Sequence, residues 1–424
     1  MRSLAVLALL CAGLAGCGLV ASPPPEPVPS PSSSSSSSSS PAAPPPQAEL
    51  VDGFVVIRKD SGSDQQVSVF NPRTGSTLWS VLGRPADPVV KSRIAQGSIV
   101  AARRSGDVEV YDLPTGRLRF TKEKVGALGI SWTTLFAGAA QCQPDCLLRA
   151  YDLATGAERW TGPQSMPGNV LVEPGEPADA KFDPPGRFSG PMRASVANAI
   201  AVRGTDSVVL LDATTGQELS KVAKPERAMA LGSDKTLLEW GDVKDCELRV
   251  TATDVRTGEL KWSMEMGART AQRPAECVSG WRPTITDRLT VWHSQRGVPR
   301  VIEVDSGKDF WSGNTASDPM VTATRQVVFT YALGRLYAFN AEDARHLWTA
   351  ENDRTARLVG FAVNGGRVIY ALEYPGSADR VGFVRDLLTG KRMWYGHGAT
   401  PLAVDGDRLV VEDASGVRVQ PIGG

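Results

Sequence analysis

The sequence predicts an all-β protein built of eight similar four-stranded units. One short pattern recurs eight times along the 424 residues, and strand-like runs precede each copy of it. The composition agrees, because 42 glycines and 30 prolines favour many turns over long helices.

The recurring pattern is a tight turn followed by an aromatic residue. The turn position is glycine in seven of the eight copies: Gly75, Gly116, Gly156, Gly216, Gly258, Gly307 and Gly390, with Ala344 in the remaining copy. Asp or Asn stands four residues earlier in seven copies, where its side chain can accept turn N–H groups while glycine supplies the positive φ. The eight copies therefore predict eight similar hairpins.

Four residues after the turn position, seven copies carry an aromatic side chain. We expect these side chains to dock each unit on its neighbour: Trp79, Phe120, Trp160, Trp262, Trp311, Trp348 and Trp394. The fourth copy has Ser220 in this place, which predicts a weaker contact there.

Each copy supplies four strands. Apolar and polar residues alternate before the turn, as at Val108 and Val110, which is the period of a strand. Four-stranded units repeated radially bury both faces against their neighbours. The sequence therefore predicts an eight-bladed β-propeller of four-stranded antiparallel blades over 49–424. The first and last strands are expected to share a blade and so close the ring.

The repeat, Ala/Val-x-Asp-x-x-Thr-Gly-x-x-x-Trp, resembles the PQQ-like repeat of quinoprotein-type propellers over essentially all of 50–424. Catalytic relatives have a disulfide between adjacent cysteines and a Ca²⁺ held by Glu, Asn and Asp, whereas this chain has no Cys-Cys pair. The resemblance therefore implies the non-catalytic branch, a binding or scaffold module with no catalytic residue, metal or cofactor. The alternative function is a PQQ-dependent dehydrogenase-like oxidoreductase.

The histidines and acidic residues do not form a familiar catalytic or metal-binding motif. His293, His346 and His397 are far apart and lack metalloprotease spacing. Asp405-Gly406-Asp407 lacks the remaining ligands of a calcium loop and is explained by a hairpin turn. These residues favour a non-enzymatic protein.

The N-terminus predicts export and anchoring. Residues 1–16 combine a positive start, a short apolar run and small residues, as in a secretory signal peptide. Leu14-Ala15-Gly16-Cys17 resembles the bacterial lipobox, which implies lipid attachment at Cys17 and a stable membrane anchor by two or three acyl chains. An ordinary secreted protein with a chance cysteine is the alternative.

Residues 17–48 follow as a Pro/Ser-rich disordered linker. Such stalks resemble those of Gram-positive lipoproteins. We therefore expect an extracytoplasmic, lipid-anchored protein in a Gram-positive envelope rather than in a Gram-negative outer membrane.

Four further cysteines predict disulfides in an exported chain. Cys142 and Cys146 share one loop, while Cys246 and Cys277 fall in loops on one face of adjacent blades. The favoured pairing is therefore 142–146 with 246–277, and four free thiols are the alternative.

Two long insertions, 161–190 and 264–283, are candidate binding loops. They carry the possible anchors Phe182, Phe188 and Trp281, although a decoration without function would look the same. The 46 basic and 46 acidic residues cancel, which removes the electrostatic basis for nucleic-acid binding. The expected partner is a protein or envelope component, and the expected state is a monomer.

Overall fold

In the computed structural model, all regular secondary structure among the described residues is β-strand. The structure describes residues 46–61, 64–81, 83–84, 86–139, 147–164, 170–171, 198–203, 207–223, 228–242, 248–266, 282–285, 288–293, 300–312, 320–324, 326–332, 334–364, 366–375 and 380–422. The strands form nine antiparallel sheets, which we number as blades 1 to 9 in chain order.

Blades 1 to 4 each contain four sequential strands. Their bounds are β1 (Gln47–Val51), β2 (Phe54–Ser61), β3 (Asp64–Asn71) and β4 (Ser76–Val81); β5 (Val89–Ala95), β6 (Ser98–Arg103), β7 (Val108–Asp112) and β8 (Leu118–Lys122); β9 (Val125–Ile130), β10 (Thr134–Ala139), β11 (Leu147–Asp152) and β12 (Glu158–Gln164); and β13 (Val170–Leu171), β14 (Ala199–Arg203), β15 (Ser207–Asp212) and β16 (Glu218–Ala223).

Blades 5 to 8 have the same four-stranded order. Their bounds are β17 (Ala228–Ser233), β18 (Thr236–Asp242), β19 (Leu248–Asp254) and β20 (Leu260–Met266); β21 (Arg282–Ile285), β22 (Leu289–His293), β23 (Arg300–Glu303) and β24 (Asp309–Ser312); β25 (Met320–Ala323), β26 (Val327–Ala332), β27 (Arg335–Asn340) and β28 (His346–Glu351); and β29 (Arg357–Asn364), β30 (Arg367–Glu373), β31 (Arg380–Asp386) and β32 (Arg392–His397).

Blade 9 has three strands in the described residues: β33 (Thr400–Asp405), β34 (Arg408–Asp413) and β35 (Gly416–Pro421). The all-β propeller and its four-stranded antiparallel blades are confirmed, but the predicted number of eight blades is wrong. The N-terminal residues form their own innermost strand, β1, and the C-terminal residues form a separate sheet. The prediction that both chain ends share one blade is therefore also wrong.

Strand position within a blade determines burial. Every residue of β6, a second strand, is buried, whereas the fourth strand β8 has exposed and half-buried residues only. A sheet covered on both faces needs an apolar run rather than simple alternation, and Ser-Ile-Val-Ala-Ala-Arg in β6 is largely such a run.

In the described residues, nine buried apolar clusters hold the blades together in a ring. Each cluster joins side chains from two consecutive blades, and the last joins blade 9 to blade 1. In that closing cluster, Val55, Ile57 and Phe70 of blade 1 pack with Leu402 and Val410 of blade 9. The ring therefore closes because the inner strands of blade 9 pack against those of blade 1, and neither blade contributes a strand to the other.

Candidate functional site

The repeated turn carboxylates are held by their own hairpins. Asp152 accepts hydrogen bonds from the backbone N–H groups of Ala154 and Thr155, both at 2.9 Å, and from the Arg159 guanidinium at 2.6 Å. The Arg159 hydrogen bond is the largest cause that lowers the pKa of Asp152 to about 2. A carboxylate fixed in this way stays ionised near neutral pH, which suits a turn and does not suit a general acid.

The same device recurs in other blades. The pKa of Asp112 is lowered by the Thr115 hydroxyl and by Arg119, and that of Asp386 mainly by the Thr389 N–H. The turn carboxylates are thus engaged locally, one per hairpin, and do not converge on a shared site.

Aromatic side chains lie across the contacts between consecutive blades, which we call seams. The indole N–H of Trp79 donates to the Leu113 carbonyl at 2.8 Å. Trp160, Trp262 and Trp348 donate to the matching carbonyls of Ala213, Val304 and Leu387 at 3.1, 2.9 and 2.9 Å. Each indole therefore bonds the turn of the following blade.

The turn glycines leave room for these rings. A Cβ placed on the glycine would lie 2.5 to 2.8 Å from the nearest ring atom in five seams: Gly116 on Trp79, Gly156 on Phe120, Gly216 on Trp160, Gly307 on Trp262 and Gly390 on Trp348. Glycine is thus required twice at these turns, for its positive φ and for the close approach of the ring.

Two seams differ from this arrangement. Ser220 replaces the aromatic residue between blades 4 and 5, yet its hydroxyl donates to the equivalent carbonyl, Val255 O, at 2.6 Å. Trp394 packs with Val404, Leu409 and Val411 in the cluster between blades 8 and 9. The side chain of Trp311 lies outside the described residues.

Among the described residues, the closing seam has no aromatic side chain at the blade 1 turn. A Cβ on Gly75 would meet nothing within 4 Å, although its φ of 73° matches the other turn glycines. Arg408 Nη1 instead lies 3.4 Å from the Pro72 and Arg73 carbonyls. Lys59 of blade 1 also pairs with Glu412 of blade 9.

A buried ionic cluster lies in blade 2. Glu109 accepts hydrogen bonds from Arg103 Nε at 2.6 Å and from the Tyr111 hydroxyl at 2.5 Å, and the Arg103 and Glu109 residues are 4% and 6% exposed. Burial opposes ionisation of Glu109, but these hydrogen bonds outweigh it and lower its pKa. The cluster satisfies its own charges, which is typical of a structural ion pair.

A second buried charge lies between blades 1 and 2. Arg58 is 2% exposed, and its Nε has no hydrogen-bond partner in the part of the chain that the structure describes. Burial lowers the pKa of Arg58 to about 10. A neighbouring cavity, lined by Val56, Val67, Ser92, Arg93, Ile94 and Ile99, has no room for a water-sized sphere. This region therefore offers no space for a substrate.

An aromatic row reaches the surface on blade 8. Tyr370 stacks on Phe383 with 4.8 Å between ring centroids, and Phe383 contacts Tyr395 at 5.3 Å. Tyr395 is 43% exposed and its hydroxyl bonds His397. The row continues a buried cluster outward and presents one aromatic side chain to solvent.

Several residues predicted from the sequence lie outside the described residues: Cys17, Cys142, Cys146, Cys246, Cys277, Phe182, Phe188 and Trp281. Among the described residues, no three His, Cys, Asp or Glu side chains converge to form a possible metal site. Within the same part of the chain, no helix has the length and apolar character needed to cross a membrane.

Sequence reasoning missed two features of the described residues: the outer edge of blade 9, with which no other strand pairs, and Gly75, which no aromatic ring covers. The available signal was the C-terminal sequence, which has strand-like runs but no turn followed by tryptophan. Its strand-like runs predict a blade shared with the N-terminal strands, whereas they form a sheet of their own.

A family model described as outer membrane protein assembly factor BamB matches residues 246–401. BamB from Moraxella catarrhalis is 18% identical, with 80% of this chain and 99% of that chain covered and a TM-score of 0.44. The dihydro-heme d1 dehydrogenase NirN is 14% identical, with coverages of 86% and 76% and a TM-score of 0.50. No curated protein sequence matches. The structural likenesses concern the fold.

Proposed function

Since the chain is a β-propeller of PQQ-like repeats, we propose that it is a non-catalytic binding or scaffold module, held outside the cell by a lipid on Cys17. The observation that supports this proposal is that the repeat residues make structural contacts within the propeller. The turn carboxylates cap their own hairpins, and the indoles bond the following blade. What the repeat provides is a rigid ring whose loops and edges are free to vary.

The family match supports a protein partner. The matching model is described as an assembly factor, and its match runs from just before β19 of blade 5 through blades 6 to 8 to the start of β33. A propeller neighbour that is an enzyme shows that the fold alone does not determine function. We therefore propose a protein or envelope partner, a monomeric chain and an extracytoplasmic location, in a Gram-positive envelope.

The anchor can be tested with two cysteine variants. Full chain produced with an alkyne fatty acid should incorporate the label and fractionate with membranes. Cys17→Ala should lose both properties, while Cys11→Ala, altered in the same apolar stretch, should keep them. Equal labelling of all three proteins would contradict lipidation at Cys17.

We further propose that the insertions 161–190 and 264–283 form a contact surface, with Phe182, Phe188 and Trp281 as anchors. Deletion of 164–188 should abolish cross-linking to the partner on intact cells and leave the melting temperature nearly unchanged. Leu388→Ser, at an exposed turn of blade 8, is the control and should retain cross-linking. Cross-linking that survives the deletion would place the contact elsewhere.

The oxidoreductase alternative has its own test. Purified chain is incubated with PQQ and Ca²⁺, and a bound chromophore and dye-linked alcohol oxidation are measured. We expect neither. Saturable oxidation would replace the scaffold proposal with the enzyme.

A further inference from the structure

The outer edge of blade 9 differs from that of every other blade. In blades 1 to 8 the third strand pairs with a fourth, whereas in the described residues no strand pairs with the outer side of β35. Val67 and Val69 of β3 are fully buried, while the valines of β35, Val417 and Val419, are only half-buried. The missing strand thus leaves apolar side chains partly uncovered.

The backbone of β35 is oriented to accept another strand. Ile422 N–H donates to Asp407 O on the inner side, at 2.7 Å. Because N–H directions alternate along a strand, those of Val417 and Val419 point to the outer edge.

Blade 2 shows what occupies the corresponding place. There Leu113 N–H donates inward to Gly97 O, as Ile422 does in blade 9, while Asp112 N–H donates to Arg117 O at the turn that leads into the fourth strand. The outer donors of β35 therefore match those that pair with a fourth strand in a complete blade.

A vacant aromatic position lies next to this edge. In five seams an aromatic ring of the preceding blade's fourth strand covers the turn glycine, but no atom of the described residues lies within 4 Å of a Cβ placed on Gly75. Pro72 O is the counterpart of the carbonyls that accept an indole N–H elsewhere, and its only described side-chain donor is Arg408 at 3.4 Å. We call the space above Gly75, together with Pro72 O, the Gly75 socket.

We propose that an extended segment of a partner protein adds to β35 as the fourth strand of blade 9 and places an aromatic side chain in the Gly75 socket. The inference rests on the proposed binding function and names its recognition chemistry. Strand addition supplies backbone hydrogen bonds, while the socket supplies side-chain specificity.

The register follows from the other blades. Val69 pairs with Val56 on one side and with Trp79 on the other. Val419 pairs with Val410 in the same way on its inner side. The partner's aromatic residue is therefore expected opposite Val419, and tryptophan fits best because its N–H can reach Pro72 O.

Two occupants from this chain lack the required chemistry. Residues 17–46 contain no aromatic residue, so they offer nothing to fill the socket, and their ten prolines each lack a backbone N–H. A second copy that paired through its own β35 would supply Gly-Val-Arg-Val-Gln-Pro, which also has no aromatic residue. A partner segment that carries an aromatic residue can supply both the backbone pairing and the side chain for the socket.

The probe for this site is a fluorescein-labelled peptide of residues 256–266, Arg-Thr-Gly-Glu-Leu-Lys-Trp-Ser-Met-Glu-Met, which contains the fourth strand of blade 5. It is titrated by anisotropy against full chain purified in detergent. We expect saturable binding, at least tenfold weaker binding of the peptide with its tryptophan changed to alanine, and slower hydrogen exchange at the Val417 and Val419 amides.

Gly75→Ala tests the socket. Ala344 occupies the same turn position in blade 7 with φ of 58°, so alanine is compatible with this turn. The added methyl group would lie where the ring must approach, and binding should weaken at least tenfold. Gly53→Ala is the matched control, since Gly53 also has positive φ and open space around it. It should bind normally.

Absent binding, unchanged binding to Gly75→Ala, or protection confined to other strands would overturn the inference. Sedimentation showing a dimer whose β35 amides are protected without peptide would assign the edge to a second copy. Protection that disappears on deletion of residues 18–45 would assign it to the N-terminal segment. These results could contradict strand addition at β35 while deletion of 164–188 still abolishes partner cross-linking. In that case the proposed binding function would stand and only the strand-addition inference would fall.

Discussion

Two seams of the same ring are held together differently. Between blades 3 and 4, the Trp160 ring covers Gly216 and its N–H bonds Ala213 O, in addition to a buried apolar cluster. Between blades 9 and 1, an apolar cluster and the Lys59–Glu412 pair are present, but no ring of the described residues covers Gly75. Inner-strand packing is therefore sufficient to join two blades, and the aromatic side chain adds a second contact near the outer edge.

This difference explains how the seam between blades 9 and 1 can close the ring and still leave its outer edge free to bind another strand. Its inner cluster includes Val55 and Val410, both fully buried. Exposed ion pairs contribute at most about 1 kcal/mol, so Lys59 and Glu412 add little to this packing. The outer part of the seam can accept another strand without opening the ring.

The largest expected loss of stability follows from removing an aromatic side chain from a seam. Trp160→Ala should lower the free energy of unfolding by about 3 to 5 kcal/mol, because it leaves a cavity and an unused carbonyl. Ser220→Ala, in the equivalent place, should cost only about 1 kcal/mol for one hydrogen bond. Urea unfolding compares the two variants, and equal losses would show that the indole adds nothing to the seam.

Adding a methyl group to a turn glycine is expected to cause the next largest loss of stability. Gly216→Ala should cost about 2 to 4 kcal/mol, from left-handed backbone strain together with displacement of the Trp160 ring. Gly75→Ala should cost only about 1 kcal/mol, since it meets strain without a clash. Thermal unfolding measures the stability loss of each variant. Equal losses for Gly216→Ala and Gly75→Ala would show that backbone strain alone determines the cost.

A smaller gain is expected when the serine seam is given an indole. The nearest atoms to a Cβ on Gly258 are 3.6 Å away, so the turn of blade 5 has space that a ring could fill. Ser220→Trp should stabilise the protein by about 1 kcal/mol, as cavity filling commonly does. Ser220→Leu is the control for added apolar area without an N–H. A melting temperature lower than that of wild type would contradict the comparison.

The smallest effect concerns acid stability. The folded-state pKa of Asp152 is about 2, below its ordinary value of 3.8, so its contribution is present above pH 3.8 and is lost as pH falls towards 2. Solvent screening limits this contribution to about 1 kcal/mol. Asp152→Asn, which imitates Asn71 of the closing seam, should therefore flatten the stability profile between pH 4 and 2. An unchanged slope in acid unfolding would exclude this role.

The sequence predicted the repeated hairpins well because their determinants are local. Asp152, Thr155 and Gly156 lie within five residues of one another, and the turn uses all three. The blade count was wrong for a related reason. The turn pattern occurs once in each of blades 1 to 8, but among the described residues no such turn follows the third strand of blade 9. The pattern therefore does not mark the three strands of blade 9 as a separate unit.

The candidate binding edge could not be predicted in the same way. Val417 and Val419 resemble any strand residues in the sequence, and Gly75 resembles the other turn glycines. Their availability depends on what lies across the seam from them, which is a contact between residues more than 300 positions apart.

The sequence by itself determined where the chain turns, which residues cap each turn and where an indole follows. These are short-range properties of side-chain hydrogen bonding and of glycine's backbone freedom. Tertiary structure alone decided how many sheets complete the ring and which outer edge is left uncovered. Both depend on packing between the first and last strands, and no local pattern encodes the geometry of that contact.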